Sequence, residues 1–345
     1  MGRAAGPPRK VLVTGATGLV GSYLVAGLLS RGDSVRVMAR SVEALGKLEW
    51  TLGRSGYGLD MVEVADGEVE DYGQVRDATK DCDVVFHCAA AVSMSRDDER
   101  LVAANVDMTH HVVAACLESP QNPLLVHVSS IAALGNALPG ERLAEDSIFE
   151  NIAAATPYAR SKFLSECEVW KGVSMGLNAV VVNPSVVLGP FPGAGGMQKA
   201  INYAAVRGIP ACTEGVSGYV DVRDVARAMI GLSLDGRTWG KRYVISGHDL
   251  SVRELATMLN GAFGHRAPKL RVGRRTLSVL YGLLRAEQRI FRSKIRVPDF
   301  PDLLLGERLY DGALITRSTG FRYSSIENTA AMFRDSVTFA PPSGS

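Results

Sequence analysis

The sequence has little net charge, few cysteines and no metal-ligand pattern. Its 345 residues include 38 Lys and Arg against 36 Asp and Glu, for a formal net charge of +2. So small an excess gives no electrostatic reason to expect a nucleic-acid partner. The five cysteines are scattered without Cys-x-x-Cys spacing and no secretory signal pattern opens the chain, so we expect a reducing, cytoplasmic location. The six histidines form no recognisable ligand set, and no metal site is predicted.

A glycine-rich turn follows the first apolar strand. Residues 10–24 read Lys-Val-Leu-Val-Thr-Gly-Ala-Thr-Gly-Leu-Val-Gly-Ser-Tyr-Leu, and a helical pattern then continues to about Gly32. Glycines in a strand–turn–helix unit permit the tight turn, bring the backbone close to a pyrophosphate and allow close helix packing. The pattern therefore predicts a dinucleotide site that contains Gly15, Gly18 and Gly21.

The end of the second strand indicates which dinucleotide binds. An NAD site favours Asp or Glu at this end, where the carboxylate accepts hydrogen bonds from the ribose 2′-hydroxyl. Here Arg40 and Ser41 follow the strand and Lys47 lies seven residues beyond Arg40, whereas Asp33 lies at the opposite end. Two cations and a hydroxyl suit a 2′-phosphate, so the sequence predicts NADP(H).

Two short strings, 28 residues apart, predict the chemistry. Ser130 ends an apolar strand, and Tyr158-Ala-Arg-Ser-Lys162 opens a helix, with Thr156 suited to the N-cap and Pro157 to the first helical position. Because Lys162 follows Tyr158 at i+4, the phenol and the ammonium share one helix face, and we expect the ammonium to lower the pKa of Tyr158. Ser130 would then hold a carbonyl oxygen while Tyr158 gives it a proton.

Apolar strands alternate with helical stretches from Lys10 to about Pro190. The predicted strands are Val11–Thr14, Val35–Met38, Met61–Val64, Val84–His87, Leu124–Ser129 and Ala179–Asn183. This alternation predicts an α/β fold, a Rossmann-type doubly wound parallel sheet, in which ligands bind beyond the carboxyl ends of the strands. A hydrophobic content of 46% and a charged content of 21% are typical of such an enzyme.

Taken in order, these residues resemble the extended short-chain dehydrogenase/reductase family, also called the NAD-dependent epimerase/dehydratase superfamily. The resemblance covers nearly the whole chain. Residues 67–71, Gly-Glu-Val-Glu-Asp, are similar to the family's G-D-x-x-D loop beside the adenine, with Glu68 in place of Asp. Residues 84–90 resemble the strand that ends in the H-x-A-A turn under the nicotinamide ribose. Residues 105–109 resemble the N-V-x-G-T helix, with Met108 in place of Gly.

Two further motifs, Asn-Pro-Ser-Val-Val-Leu-Gly-Pro at 183–190 and Tyr-Val-Asp-Val-Arg-Asp-Val-Ala at 219–226, complete the set. Within the family, the spacing from Arg40 to Lys47 and the Asn-Pro motif point toward dihydroflavonol-reductase and cinnamoyl-CoA-reductase-like enzymes. The resemblance implies that the catalytic residues are Ser130, Tyr158, Lys162 and Asn105. It implies that the cofactor contacts are Gly15, Thr17, Gly18, Leu19, Val20, Gly21, Arg40, Ser41, Lys47, Glu68, Val69, Ala89, Ala90, Ala91, Tyr158, Lys162, Pro184 and Val187.

The motifs also suggest how the chain is divided. We expect a flexible tail at 1–9, an NADP-binding domain at 10–190 to which 219–246 return, a smaller substrate-binding lobe at 191–218 and 247–335, and a second tail at 336–345. Substrate determinants are expected in 91–97, in 191–219 and in this lobe. The sequence shows no recognisable code for the substrate, and both monomer and homodimer remain open.

One stretch of the predicted lobe is strongly basic. Residues 271–296 carry seven arginines and one lysine against Glu287 alone. A solvated basic helix is the favoured interpretation, while a weak contact with a membrane surface or a pocket for an anionic substrate stays open. The apolar run inside the stretch is too short to span a bilayer.

Three functions are consistent with the motifs. The first is an NADPH-dependent oxidoreductase that reduces a small-molecule ketone or aldehyde. The second is a sugar-nucleotide epimerase or dehydratase, although such dehydratases tend to have threonine in place of the second serine, followed by acidic residues, and here Ile131-Ala132-Ala133 offer no carboxylate. The third is a non-catalytic NADP-binding protein, which would often have lost the tyrosine or the lysine.

Overall fold

The computed structural model describes residues 7–91, 99–137, 140–193, 197–273, 275–277 and 305–337. The strands of this part of the chain are β1 (Lys10–Thr14), β2 (Ser34–Ala39), β3 (Val62–Asp66), β4 (Val84–His87), β5 (Leu124–Val128), β6 (Arg142–Leu143), β7 (Ala179–Pro184), β8 (Val186–Leu188), β9 (Ala211–Cys212), β10 (Val216–Asp221), β11 (Lys241–Ile245), β12 (His248–Ser251), β13 (Leu270–Arg271) and β14 (Glu307–Tyr310). The α-helices are α1 (Leu19–Arg31), α2 (Gly46–Arg54), α3 (Tyr72–Thr79), α4 (Glu99–Glu118), α5 (Pro157–Ser174), α6 (Met197–Arg207), α7 (Val222–Ser233), α8 (Val252–Ala262), α9 (Ala313–Thr319) and α10 (Ile326–Val337).

Seven parallel strands form the central sheet, in the order β11-β7-β5-β4-β1-β2-β3. Its inner strands are apolar on both faces: Val11, Leu12 and Val13 of β1 are all fully buried. Strands covered on both sides read as continuous apolar runs, which is why the sequence identified them.

Helices cover both faces of this sheet. On one face, Leu24 of α1, Leu48 of α2 and Met229 of α7 pack in one cluster with Val11 and Val13. On the other face, α3, α4 and α5 pack against side chains such as Leu12 and Leu125. The chain order reverses between β1 and β4, so the carboxyl ends of these strands open a crevice of the kind that binds dinucleotides.

A second sheet follows the order β12-β10-β14-β6, with β8 also paired to β10, and a small pair joins β9 to β13. Helices α6, α8 and α10 pack beside it around Tyr219, Leu259 and Phe333. The sequence did not predict this sheet as a unit, because its strands are short and come from five separate parts of the chain.

Two buried aspartates of the 219–226 motif tie α7 to the C-terminal segment. Asp221 accepts a hydrogen bond from the Thr329 hydroxyl at 2.9 Å, and Asp224 accepts from the Ser324 amide and hydroxyl at 2.7 and 2.8 Å. Both carboxylates also pair with arginines of α7. The last helix is therefore anchored to the central sheet through α7.

The predicted fold class is confirmed, and the six predicted strands lie within two residues of the observed bounds. Helix α1 ends as predicted at Gly32, which has a left-handed φ of 86°. Several predictions lie outside the described residues: most of the two tails, residues 92–97, and residues 274 and 278–296 of the basic stretch. No helix among the described residues is long and apolar enough to cross a membrane.

Candidate active site

The turn between β1 and α1 leaves no room for a side chain at Gly15 or Gly21. A Cβ on Gly15, whose φ is +69°, would lie 2.5 Å from the Ala89 amide nitrogen, and one on Gly21 would lie 2.2 Å from the Gly15 carbonyl oxygen. Gly18 occupies the N-cap of α1 without a side-chain capping bond. This open backbone cradle at a helix N-terminus fits a pyrophosphate. The other predicted contacts in the turn, all partly exposed, are Thr17, Leu19 and Val20.

The end of β2 pairs the predicted phosphate-binding arginine with carboxylates. Arg40 is 68% exposed, and its guanidinium lies 3.4 Å from Glu70 Oε1 and 4.0 Å from Glu68 Oε1. Ser41 is partly exposed before a short 3₁₀ helix, and Val69 is buried beyond Glu68. The sequence analysis did not identify Glu70 as a neighbour of Arg40. Because alternate residues of an extended segment share a side, its position two residues after Glu68 could have indicated this contact.

Lys47 lies against different neighbours from Arg40. Its ammonium sits 5.9 Å from the centroid of the Phe191 ring. Lys47 and Phe191 line a cavity of about 260 Å³ together with Leu19 and Val187. The structure thus brings three of the predicted cofactor contacts, Leu19, Lys47 and Val187, to one cavity at the sheet edge.

The segment after β4 is fixed by Asn105 of α4. The Asn105 amide accepts from the Ala91 nitrogen at 2.7 Å, and donates to the Ala91 carbonyl at 3.0 Å and to the Ser161 hydroxyl at 3.1 Å. These bonds hold the predicted ribose-contacting turn, Ala89 to Ala91, against α4 and α5. Asn105, predicted as catalytic, is buried, and all three of its side-chain hydrogen bonds position this turn and α5.

Two neutral histidines lie beneath this turn. His87 is buried between the hydroxyls of Thr14, 2.8 Å from Nδ1, and Thr109, 3.2 Å from Nε2, and burial lowers its pKa to about 3. The ring of His127 lies 5.2 Å from that of His87. Burial also holds the pKa of His127 far below 6.5, and neither of its ring nitrogens has a partner among the described residues.

Ser130 lies two residues after β5 and caps the 3₁₀ helix that follows. Its hydroxyl accepts from the Ala132 amide at 3.2 Å, and its carbonyl accepts from the Asn183 side chain at 3.0 Å. Asn183 and the buried Pro184 end β7, the neighbouring strand. Both the backbone and the hydroxyl of Ser130 are therefore held in place.

Helix α5 begins as predicted, with Thr156 accepting from the Ala159 amide and Pro157 at the first position. Tyr158 is in the first turn, where burial raises its pKa and a hydrogen bond with the Ser130 hydroxyl partly opposes that rise. Lys162 is buried, and its ammonium donates to the Val128 carbonyl at 3.0 Å.

The expectation that Lys162 lowers the pKa of Tyr158 is therefore wrong for this structure. The pKa of Tyr158 lies above 10 because desolvation disfavours the phenolate, and the group that lowers it is Ser130. Burial also lowers the pKa of Lys162, to about 8. The i+4 spacing correctly placed both residues on α5, but it could not show that the ammonium bonds to β5.

Sequence reasoning also missed a buried carboxylate behind these residues. Glu166 Oε1 accepts from Asn183 Nδ2 at 2.6 Å, and Oε2 lies 3.5 Å from Arg242 Nη1. Burial raises the pKa of Glu166, and its hydrogen bonds and Arg242 oppose the rise. The i+4 spacing from Lys162 to Glu166, a repeat of that from Tyr158 to Lys162, could have revealed it. Within the described ranges, no group of three or more His, Cys, Asp or Glu side chains is arranged to hold a metal ion.

Comparison with known proteins places this site in a family. The sequence model of the NAD dependent epimerase/dehydratase family matches residues 11–245. The chain is 30% identical to sterol demethylase protein B of Methylococcus capsulatus, with 95% of this chain and 97% of the relative covered. It is 28% identical to a dihydroflavonol 4-reductase of Zea mays, with 76% and 77% covered.

Solved structures share the fold. A dTDP-glucose 4,6-dehydratase of Streptomyces venezuelae, crystallised with NAD, is 20% identical and superposes with a TM-score of 0.74 over 95% of this chain and 97% of that one. At that identity the likeness shows the architecture alone. The match to the family model over residues 11–245 and the 30% identity across almost the whole chain establish that this protein belongs to the NAD dependent epimerase/dehydratase family.

Proposed function

We propose that this protein is an NADPH-dependent oxidoreductase that reduces the carbonyl group of a ketone or aldehyde. The observation that carries the proposal is the placement of Ser130, which follows β5, beside Tyr158 in the first turn of α5, with Lys162 one turn further along that helix. Two neighbouring hydroxyls can both direct their protons at one carbonyl oxygen.

The residues at the sheet edge fit a nicotinamide dinucleotide. The Gly15, Gly18 and Gly21 turn offers the cradle that a pyrophosphate requires, because any Cβ on Gly15 or Gly21 would collide with the backbone. The turn at Ala89 to Ala91, clamped by Asn105, lies where the nicotinamide ribose is expected. The bound dinucleotide would supply the hydride.

The side chains would manage the oxygen and its proton. The Ser130 hydroxyl oxygen accepts from the Ala132 amide, and its proton, which is directed at Tyr158 in this structure, can turn to a carbonyl oxygen when a substrate binds. The raised pKa of Tyr158 keeps its hydroxyl protonated at neutral pH, ready to be given to the developing alkoxide. Lys162, which is largely charged below a pKa of about 8, adds positive potential beside that oxygen and anchors α5 to β5.

The preference for NADPH rests on Arg40 and Ser41 at the end of β2. A guanidinium that is 68% exposed can turn from its carboxylate neighbours to a 2′-phosphate. Glu68 and Glu70 compete for the same guanidinium, and this arrangement favours the second candidate, an NAD-using sugar-nucleotide epimerase or dehydratase. Relatives named for reduction, such as the Zea mays dihydroflavonol 4-reductase, favour the first.

The nucleotide that copurifies with the protein separates the two candidates. A tightly held NAD would favour the epimerase or dehydratase, whereas an empty or readily exchanging NADPH site would favour the reductase. Substrates can then be sought by NADPH absorbance with a panel of aldehydes, flavonoid-like ketones, sterol-like ketones and CoA thioesters.

With a substrate from the panel, Tyr158→Phe tests the chemistry. It keeps the ring but removes the proton donor, so NADPH should still bind while turnover falls roughly 10²–10⁴-fold. Tyr57→Phe, the same change in the segment that leads into β3 at the amino ends of the strands, is the matched control and should leave turnover unchanged. Near-normal turnover by Tyr158→Phe would refute the mechanism.

A further inference from the structure

A buried carboxylate connects the proposed proton donors to the far edge of the sheet. Glu166 is only 2% exposed and follows Lys162 by four residues, so both side chains lie on one face of α5. Its Oε1 accepts from Asn183 Nδ2 at 2.6 Å, and the same nitrogen donates to the Ser130 carbonyl at 3.0 Å. One amide thus joins Glu166 to the backbone of the serine.

Arg242 of β11 provides the positive charge that faces the Glu166 carboxylate. Its Oε2 lies 3.5 Å from Arg242 Nη1, and the Arg242 guanidinium also donates to the backbone carbonyls of Ser147, at 2.7 Å, and Glu145. An enclosed charge is retained when it is paired and hydrogen-bonded, and here a guanidinium and an amide do both. The position of Glu166 is therefore set by three elements: α5, β7 and β11.

Glu166 is also the charge that balances Lys162. Burial lowers the pKa of Lys162 to about 8, and the negative charges that could oppose this are a Cys88 thiolate and Glu166. Burial raises the pKa of Cys88 to about 12, so its thiol is uncharged where Lys162 titrates. His87 and His127, which face Lys162 from β4 and β5, are uncharged there as well.

We propose that Glu166 is a positioning residue of this active site: its carboxylate, held by Arg242, fixes the Ser130 backbone through Asn183 and acts electrostatically on Lys162, one turn earlier on the same face of α5. The proposal rests on the reductase function proposed above. It extends the site from the surface crevice to a buried ion pair that touches neither substrate nor cofactor.

The test compares Glu166→Gln with Glu168→Gln, the same change on the same helix at an ion-paired surface carboxylate. Glu166→Gln should lower kcat on the order of tenfold to a hundredfold, as the loss of outer-shell partners does at metal sites. The Kd for NADPH should stay within about twofold, because no cofactor contact is removed. Glu168→Gln should change neither quantity.

A readout independent of turnover is the pKa of Lys162, followed by NMR with isotope-labelled lysine and assigned with Lys162→Met. Glu166→Gln should lower the pKa of Lys162 below about 8. The alkaline limb of the pH–rate profile, where Lys162 loses its charge, should move to lower pH by the same amount. Since Glu166→Gln leaves Arg242 without its counter-charge, the double variant Glu166→Gln, Arg242→Gln provides a neutral pair. It should fold, and its Lys162 pKa should lie between those of the single variant and of wild type, because a cation is removed together with the carboxylate.

An unchanged pKa of Lys162 in folded Glu166→Gln would overturn the proposal, and so would unchanged kcat in either variant. If no carbonyl compound is reduced by the wild-type protein, the proposed function fails while the NMR result still decides the role of Glu166. The two failures are therefore distinguishable.

Discussion

The buried histidine beneath the turn at Ala89 to Ala91 should make the protein sensitive to acid. His87 is 1% exposed and lies between the hydroxyls of Thr14 and Thr109. Thr109 donates to the Asn105 carbonyl, so His87 Nε2 donates to Thr109 while Nδ1 accepts from Thr14. This arrangement requires the neutral imidazole, and protonation of Nδ1 would place two donors against each other.

The size of the effect follows from the two pKa values of His87. Burial lowers its pKa from 6.5 to about 3, so between these values the unfolded chain binds more protons than the folded one. The stabilisation is fully present above pH 6.5 and is lost as the pH falls toward 3. From about pH 7.5 to about pH 5, this one group should remove about 2 kcal/mol from the free energy of unfolding, at about 1.4 kcal/mol per pH unit below 6.5.

The perturbation is His87→Gln, which keeps a donor and an acceptor but cannot be protonated. The free energy of unfolding is measured by urea titration with tryptophan fluorescence at both pH values. We expect the variant to lose about 2 kcal/mol less than wild type on acidification. His110→Gln, at an exposed histidine of α4, is the matched control and should lose as much as wild type. If His87→Gln and wild type lose the same amount, His87 is not the neutral buried group described here.

Three further predictions concern the cofactor and the serine. Arg40→Asp should weaken NADPH far more than NADH, because a charge-assisted contact becomes a repulsion; an unchanged ratio of the two Kd values from fluorescence titration would contradict the assignment. Gly21→Ala should lower the free energy of unfolding by about 1–3 kcal/mol and weaken NADPH, because its Cβ would lie 2.2 Å from the Gly15 carbonyl, whereas Gly53→Ala, with open space around it, should do neither. Ser130→Ala should lower kcat on the order of 10²-fold with NADPH affinity retained, and loss of binding instead would point to a structural role.

Local patterns in the sequence were enough to predict the parallel sheet and the start of α5. Continuous apolar runs identified β1 and β5, and Thr156 and Pro157 marked the helix start, because each signal depends on neighbours in the chain. Contacts between distant segments could not be read in this way. The bond from Lys162 to Val128, the pairing of Arg40 with Glu70 and the bridge from Glu166 to Arg242 depend on how elements pack in three dimensions.

The pKa of Tyr158 shows the same distinction for the candidate site. Helix spacing predicted that Lys162 would be near Tyr158, and the electrostatic argument then assumed that nearness alone decides the pKa. In the folded protein the desolvation of the phenol outweighs its neighbours. The sequence therefore predicted which residues meet more reliably than it predicted how their environment changes them.

The bonds from Asp221 and Asp224 to residues 324–329 bear on whether the chain can be divided. A protein shortened before Ser324 would keep two buried carboxylates but lose three of their hydrogen-bond donors. A hydrogen bond to a charged group typically contributes about 1.5–3 kcal/mol, so the loss of three is a large fraction of the stability of a typical domain. The nucleotide-binding half should therefore not survive as a separable module, and an exchange of C-terminal segments between relatives would have to carry Ser324 and Thr329 along with it.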